Sequence, residues 1–148
     1  MTSEPNDKLI LSSERWQELL SPDQFAVLRQ QATERPGSSR LNDEHRSGTF
    51  LCAGCHQPLF SSRHKFDSGS GWPSFFRPLG NSVIETRRDT RHGMTRLEYH
   101  CARCGGHQGH VFSDGPQPTG HRWCNNGLAL KFVPEGEKLP GLRKNAYP

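Results

Sequence analysis

Two Cys-x-x-Cys turns, Cys52-Ala53-Gly54-Cys55 and Cys101-Ala102-Arg103-Cys104, constrain this chain more than any other feature. Each follows a run that reads as a strand, and each has glycine at or just after the turn: Gly54 in the first, Gly105-Gly106 in the second. Tight turns of this kind bring two thiolates to one ion, and two such turns complete a tetrahedral four-cysteine site. Their wide separation, and the lack of a βαβ pattern around either, speak against two independent redox dithiols. The spacing matches no iron–sulfur motif, so zinc is the favoured metal. One structural Zn2+ held by Cys52, Cys55, Cys101 and Cys104 is expected.

Such an ion contributes directly to folding free energy, and this chain has reason to need it. Of 148 residues only 31% are apolar, while Gly and Pro number 15 and 11. That is one domain's worth of polar, turn-rich chain with a thin core. No stretch approaches the apolar run of a membrane span. Met1 to Lys8 is polar and lacks the apolar segment of a secretory signal. Five cysteines, an odd number, argue against a secreted disulfide framework, so a reducing, cytoplasmic setting is expected. Three Trp and eight Phe spread along the chain exclude wholesale disorder. The net charge of +4 permits weak attraction to anions. Its Lys and Arg are not gathered with aromatics as in a nucleic-acid binder, however, and Arg87, Arg88 and Arg91 read as a solvated strand or turn.

Residues 1–8 read as a disordered tail and 9–148 as a single domain. Its helical lead-in covers about 13–34. Trp16, Leu19 and Leu20 have helical spacing, and Ser21-Pro22-Asp23-Gln24 supplies a cap, a first-turn proline and a capping box. Phe25, Leu28 and Ala32 continue the apolar stripe. From about 48 to 134 the pattern is that of a β core. Phe50-Leu51, Pro58–Phe60 and Val83–Thr86 read as short strands. Met94–Cys101 alternates, with Thr95, Leu97, Tyr99 and Cys101 on one face and Arg96, Glu98 and His100 on the other. Leu128, Leu130 and Phe132 alternate near the end. The fold class is mainly β and antiparallel behind a short helical segment.

The fifth cysteine, Cys124, stands alone in Arg122-Trp123-Cys124-Asn125-Asn126. A lone cysteine is often a small buried hydrophobe. Here Arg122 and Asn126 would share its face of an extended strand, and a guanidinium favours the reactive thiolate. The residues alone leave both readings open. Upstream, His107 and His110 stand three apart among glycines. The four paired cysteines already complete a metal site, so proton handling is the better functional reading for these histidines. Trp72, between Gly71 and Pro73, suits either the core or the wall of an apolar pocket.

Together these stretches resemble the methionine sulfoxide reductase B family, from about Ser13 to Phe132. The carriers are the two knuckles, Phe66-Asp67-Ser68-Gly69, Gly71-Trp72-Pro73-Ser74-Phe75, His107-x-Gly109-His110-Val111-Phe112, Asp114-Gly115-Pro116 and Arg122-x-Cys124-x-Asn126. The resemblance implies two small antiparallel sheets in a tent-like arrangement. It also implies reduction of methionine-R-sulfoxide, free or in oxidised proteins, by attack of Cys124 on the sulfoxide sulfur, leaving a sulfenic acid. His107 and His110 match the candidate proton donors. Asp114 and Arg122 match residues that orient or charge the site, and Asn126 one that organises its hydrogen bonds. Trp72 matches the aromatic that cradles the substrate methyl group, with Phe112 beside it. Many members carry a resolving cysteine just before Gly-Trp-Pro, where this chain has Ser70. Regeneration by an external thiol (thioredoxin, glutaredoxin or glutathione) is therefore implied. Trp123 and Gly127 stand where Tyr and Ser are commoner. A monomer that binds neither nucleic acid nor membrane is expected.

Overall fold

The computed structural model describes residues 8–144, so all of the expected tail except Lys8 lies outside the described residues. The lead-in forms α1 (Ser13–Leu19) and α2 (Pro22–Gln30). Ser21 caps α2 by accepting from the Gln24 N–H while the Gln24 side chain accepts from the Ser21 N–H, which is the reciprocal box its sequence predicts. The two helices bury Trp16, Val27 and Leu28, and the Arg29 guanidinium lies 4.8 Å above the Trp16 ring.

Nine strands follow among the described residues: β1 (Gly48–Cys52), β2 (Pro58–Ser61), β3 (Lys65–Phe66), β4 (Ser74–Phe75), β5 (Ile84–Asp89), β6 (Arg96–Cys101), β7 (His107–Phe112), β8 (Arg122–Asn125) and β9 (Leu130–Pro134). They form two antiparallel sheets, one ordered β2-β1-β9 and one ordered β3-β4-β8-β7-β6-β5. The fold class is thus the mainly β one expected. Aromatic rings fill the space between the sheets. Phe60 of the smaller sheet stacks on Phe75 of the larger at 4.1 Å, and Phe50 meets Phe75 edge-on at 5.0 Å. Tyr99, also fully buried, closes the cluster from β6. Each ring contributes about 1.5–3 kcal/mol by leaving water, which lets few residues hold two small sheets together.

Local chemistry explains where strand expectations shift. In β6, Tyr99 and Cys101 are buried as the alternation predicts, yet Leu97 is 43% exposed and Glu98 only 1%. Glu98, on the expected polar face, is buried where Gln31 at the end of α2 and His107 of β7 supply hydrogen-bond donors. At the C-terminal end, Gly127–Ala129 is a 3-10 turn and β9 begins only at Leu130. The N–H groups of Gly127 and Leu128 go to the Glu34 carboxylate rather than to a strand neighbour, which turns the chain there. At its outer edge the larger sheet ends on β5, whose Glu85, Thr86, Arg87 and Arg88 are all exposed.

Candidate active site and metal centre

Both Cys-x-x-Cys turns close in the same way. The residue after each second cysteine, His56 or Gly105, has φ near +71° or +77°, and its N–H returns to the carbonyl of the first cysteine at 2.8 Å. In the first knuckle this left-handed position falls on His56, not on Gly54. The turns converge so that all four sulfurs lie within 4.8 Å of one another and are buried. Cys52 and Cys104 sulfurs are 3.6 Å apart, and those of Cys55 and Cys101 are 3.5 Å apart. A tetrahedral ion with metal–sulfur bonds of ~2.3 Å requires edges of roughly 3.8 Å, so the cluster has the right size. Its surroundings also suit anionic sulfur. Gly54 N–H and the Gln108 amide point at Cys52, Gly106 N–H at Cys104 and the Gln57 amide at Cys101, each at 3.4 Å. The cluster is suited to hold a metal ion, with all four positions taken by protein.

Cys124 belongs to a different part of the larger sheet. β8 lies between β4 and β7, and its register places Cys124 opposite Ser74 on one side and His110 on the other. His110 in turn faces Glu98 on β6, and Glu98 faces Arg87 on β5. Ser74, Cys124, His110, Glu98 and Arg87 therefore make one transverse row on one face, because directly paired residues share a face. β7 and β8 approach closely at Gly109, where a Cβ would overlap the Cys124 carbonyl oxygen.

Along this row lies a cavity of about 190 Å³ lined by Cys124, Trp72, His110, Phe112, Arg122 and Asn126, together with Thr33, Ser70, Arg96, Gly109 and Asn125. None of the knuckle cysteines lines it. Of the residues singled out from the sequence, it thus brings together the lone cysteine, one histidine, both aromatics, the arginine and the asparagine. His107 does not line it. Its ring is buried behind His110, with centroids 5.7 Å apart. Asp114 lies outside, with its side chain 66% exposed, and accepts two hydrogen bonds from Arg122 at 3.0 and 3.2 Å. The guanidinium so held stands 4.4 Å over the Phe112 ring.

Each histidine is braced by a carboxylate that sequence reasoning missed. His110 Nε2 is 2.8 Å from Asp89, and His107 Nδ1 is 2.6 Å from Glu98. Asp89 is itself held by three bonds from Arg91, two of them from its guanidinium, and Glu98 accepts from Arg87 at 2.7 Å and from Gln31 at 3.0 Å. Arg87 and Arg91 are thus not merely solvated, as their sequence suggests, but fix the acids behind the histidines. Burial would raise the Glu98 pKa, yet bonds from His107, Arg87 and Gln31 outweigh it and hold the carboxyl at about 2. Hydrogen bonds from Arg91 and His110 likewise push Asp89 well below the usual carboxylate range. Burial lowers the His110 pKa against the pull of Asp89, favouring the neutral ring. A signal for Glu98 did exist: it is the central polar residue of a strand whose neighbours in sequence supply the histidine-bearing β7.

Burial also decides Cys124. It raises the thiol pKa, while Arg122 and the Ser70 hydroxyl pull it down without overcoming the loss of water. The thiolate-favouring effect expected of Arg122 is present but outweighed. Ser70 extends the polar side of the cavity through a chain of hydroxyls, with Ser68 Oγ 2.8 Å from Ser70 Oγ and 2.9 Å from Ser74 Oγ. Asn126 is locked in place, its amide donating to the Gln108 carbonyl at 3.0 Å while its oxygen accepts from the Glu34 N–H.

Fold and site together define a class: small antiparallel β proteins braced by two cysteine knuckles, with a separate thiol set among histidines and aromatics. Residues 20–134 match the SelR domain family. The chain is 54% identical over 134 residues to a peptide methionine sulfoxide reductase MsrB of Bradyrhizobium diazoefficiens, covering 90% of this chain and 96% of the relative. Identity is 49% over 128 residues with a protein of the same name from Pseudomonas fluorescens, covering 86% and 98%. For one from Methanosarcina barkeri it is 48% over 130 residues, covering 88% and 92%. The chain belongs to the methionine sulfoxide reductase B family.

Proposed function

We propose that this protein reduces the R epimer of methionine sulfoxide, free or within oxidised proteins, with Cys124 as the nucleophile. The observation that carries the reading is the single cavity in which Cys124 meets Trp72, Phe112, Arg122 and His110. Trp72 and Phe112 offer apolar walls to the substrate methyl group. Arg122, His110 and, behind it, His107 place charge and donors on the other side. Only one epimer can present its methyl to the aromatics and its oxygen to the donors at once, which is the basis of stereoselection.

In the step proposed, Cys124 gives up its thiol proton to the facing His110 as its sulfur attacks the sulfoxide sulfur, and the histidine pair His110 and His107 returns one proton to the sulfoxide oxygen. The original S–O bond breaks as oxygen passes to the cysteine. Methionine leaves, and Cys124 remains as a sulfenic acid, oxidised by two electrons. Asp114 keeps Arg122 aimed, and Asn126 holds the end of β8. Ser70 offers no thiol to resolve the intermediate. An external thiol then forms a mixed disulfide and releases water, and a second thiol frees Cys124 as its own disulfide forms. Thioredoxin, glutaredoxin or glutathione supplies these electrons.

Zn2+ is the ion proposed for Cys52, Cys55, Cys101 and Cys104. With four protein ligands and no open position, it supplies structure rather than chemistry. The test is turnover of racemic N-blocked methionine sulfoxide with excess dithiothreitol, followed by chiral separation. Only the R epimer should disappear, and Cys124→Ser should abolish turnover at unchanged zinc content. Consumption of both epimers, or turnover by Cys124→Ser, would overturn the assignment.

A further inference from the structure

The segment between α2 and the turn at Ser39 has no regular structure, yet it carries a buried carboxylate. Glu34 is only 7% exposed. Carboxylates are rarely buried unless donors replace their water, and here the donors are backbone N–H groups. Gly127 N–H donates to Oε2 and Leu128 N–H to Oε1, each at 2.9 Å. The main chain of the same residue is also fully used. Its N–H donates to Asn126 Oδ1 at 3.0 Å, and its carbonyl oxygen accepts from Trp72 Nε1 at 3.0 Å. All four bonds go to residues that bound the Cys124 cavity or follow directly after it. Trp72 is one wall, and Asn126-Gly127-Leu128 is the chain as it leaves β8.

The indole could turn about its side-chain bonds without leaving its place between Gly71 and Pro73. Its orientation is set by the bond from Nε1 to the Glu34 carbonyl, so it is as firm as the segment that supplies that carbonyl. An irregular loop would be a poor support, but the carboxylate clamp ties this one to the turn that directly follows the strand bearing Cys124. We propose that Glu34 is a positioning residue: by clamping the Gly127 and Leu128 N–H groups, it fixes the carbonyl that holds the Trp72 indole against Cys124. The consequence for substrate rests on reading Trp72 as the wall that receives the methyl group.

Glu34→Gln tests this at nearly constant size. One of the two N–H groups then faces an amide NH2 instead of an oxygen, so one bond is lost. KM for N-acetylmethionine-R-sulfoxide should rise about tenfold, equivalent to ~1.4 kcal/mol, with a smaller change in kcat. In a Trp72→Phe background, which has no Nε1 donor to hold, the same substitution should change KM by less than about twofold. Equal effects in both backgrounds would overturn the proposal. A readout free of turnover is hydrogen exchange of the 15N-labelled indoles. Trp72 Nε1–H should exchange at least about tenfold faster in Glu34→Gln, with the Trp16 indole unchanged. Unaltered Trp72 exchange refutes the clamp even if catalysis suffers. Absence of R-sulfoxide turnover by the wild type would strike the proposed function alone, and the exchange result would still decide the clamp. Should Glu34→Gln fail to fold, Glu34→Asp, with a carboxylate on a shorter stem, carries the same measurement: Trp72 Nε1–H should exchange faster than in the wild type, and unaltered exchange would refute the clamp.

Discussion

Cys124 is acted on in opposite senses by its surroundings. Burial favours the uncharged thiol, while Arg122 and Ser70 favour the thiolate, and burial prevails. The Cys124 thiol thus rests largely protonated near neutral pH, and Arg122 limits how far the balance tilts. Alkylation of the Cys124 peptide by iodoacetamide should therefore rise with pH through a midpoint above that of an ordinary thiol. In Arg122→Met the midpoint should move higher still, and the rate at pH 8 should fall several-fold as followed by mass spectrometry. An identical pH profile would mean that the guanidinium does not act on the sulfur. What was legible here from sequence was chemical type: Arg122 two residues before Cys124 places both on one side of a strand. What was not legible was the degree of burial, because that depends on Trp72 arriving from the turn before β4 and Phe112 from β7.

β7 and β8 carry the pair His110 and Cys124 across from each other, and the strands can close to pairing distance there because residue 109 is glycine. Gly109→Ala places a methyl group against the Cys124 carbonyl, and neither backbone can yield without parting the ladder. Turnover should fall at least about 100-fold, since displacements near 1 Å at a reacting group cost that much. Zinc content should persist, because the knuckles lie outside this contact. Normal activity in Gly109→Ala would show that the spacing has slack. The elements differ in how readily their sequence disclosed them. The start of α2 was legible, since Ser21, Pro22 and Gln24 act on neighbours a few residues away, but its end was not: the helix stops at Gln30, with Gln31 left-handed, short of the expected reach to about 34. The start of β9 was not, because Gly127 and Leu128 are diverted by Glu34, which lies 93 positions from Gly127. The acids behind the histidines escaped for the same reason: Asp89 meets His110 across 21 positions.

The two sets of cysteines divide the molecule's tasks. Four close the ends of β1 and β6 onto one centre, beside the helices that cover it, while the fifth serves the cavity. Gln108 touches both regions, donating to Cys52 Sγ at 3.4 Å and accepting from Asn125 Nδ2 at 3.0 Å. Asn125 immediately follows Cys124, so the strand that presents Cys124 is tied to the knuckles through Gln108. Cys101→Ser should lose the metal and lower Tm by about 15 °C or more, given how much folding free energy such centres supply. A strong chelator acting on the wild type should reproduce the loss, checked by metal analysis alongside circular dichroism. A well-folded, metal-free Cys101→Ser protein would assign the stability to the aromatic core instead. The family motifs made this arrangement readable along most of the chain, and the knuckle spacing alone pointed to the centre.

The outer edge of the larger sheet bears on the company such a protein keeps. Partly unfolded chains offer loose strands in search of a partner. An open, apolar edge would annex them and seed aggregates. β5 instead lines its edge with Glu85, Thr86, Arg87 and Arg88, all exposed, and pairing a second strand there would press charges of both signs out of water. An edge lined this way can meet loose chains repeatedly without being zipped into their tangles.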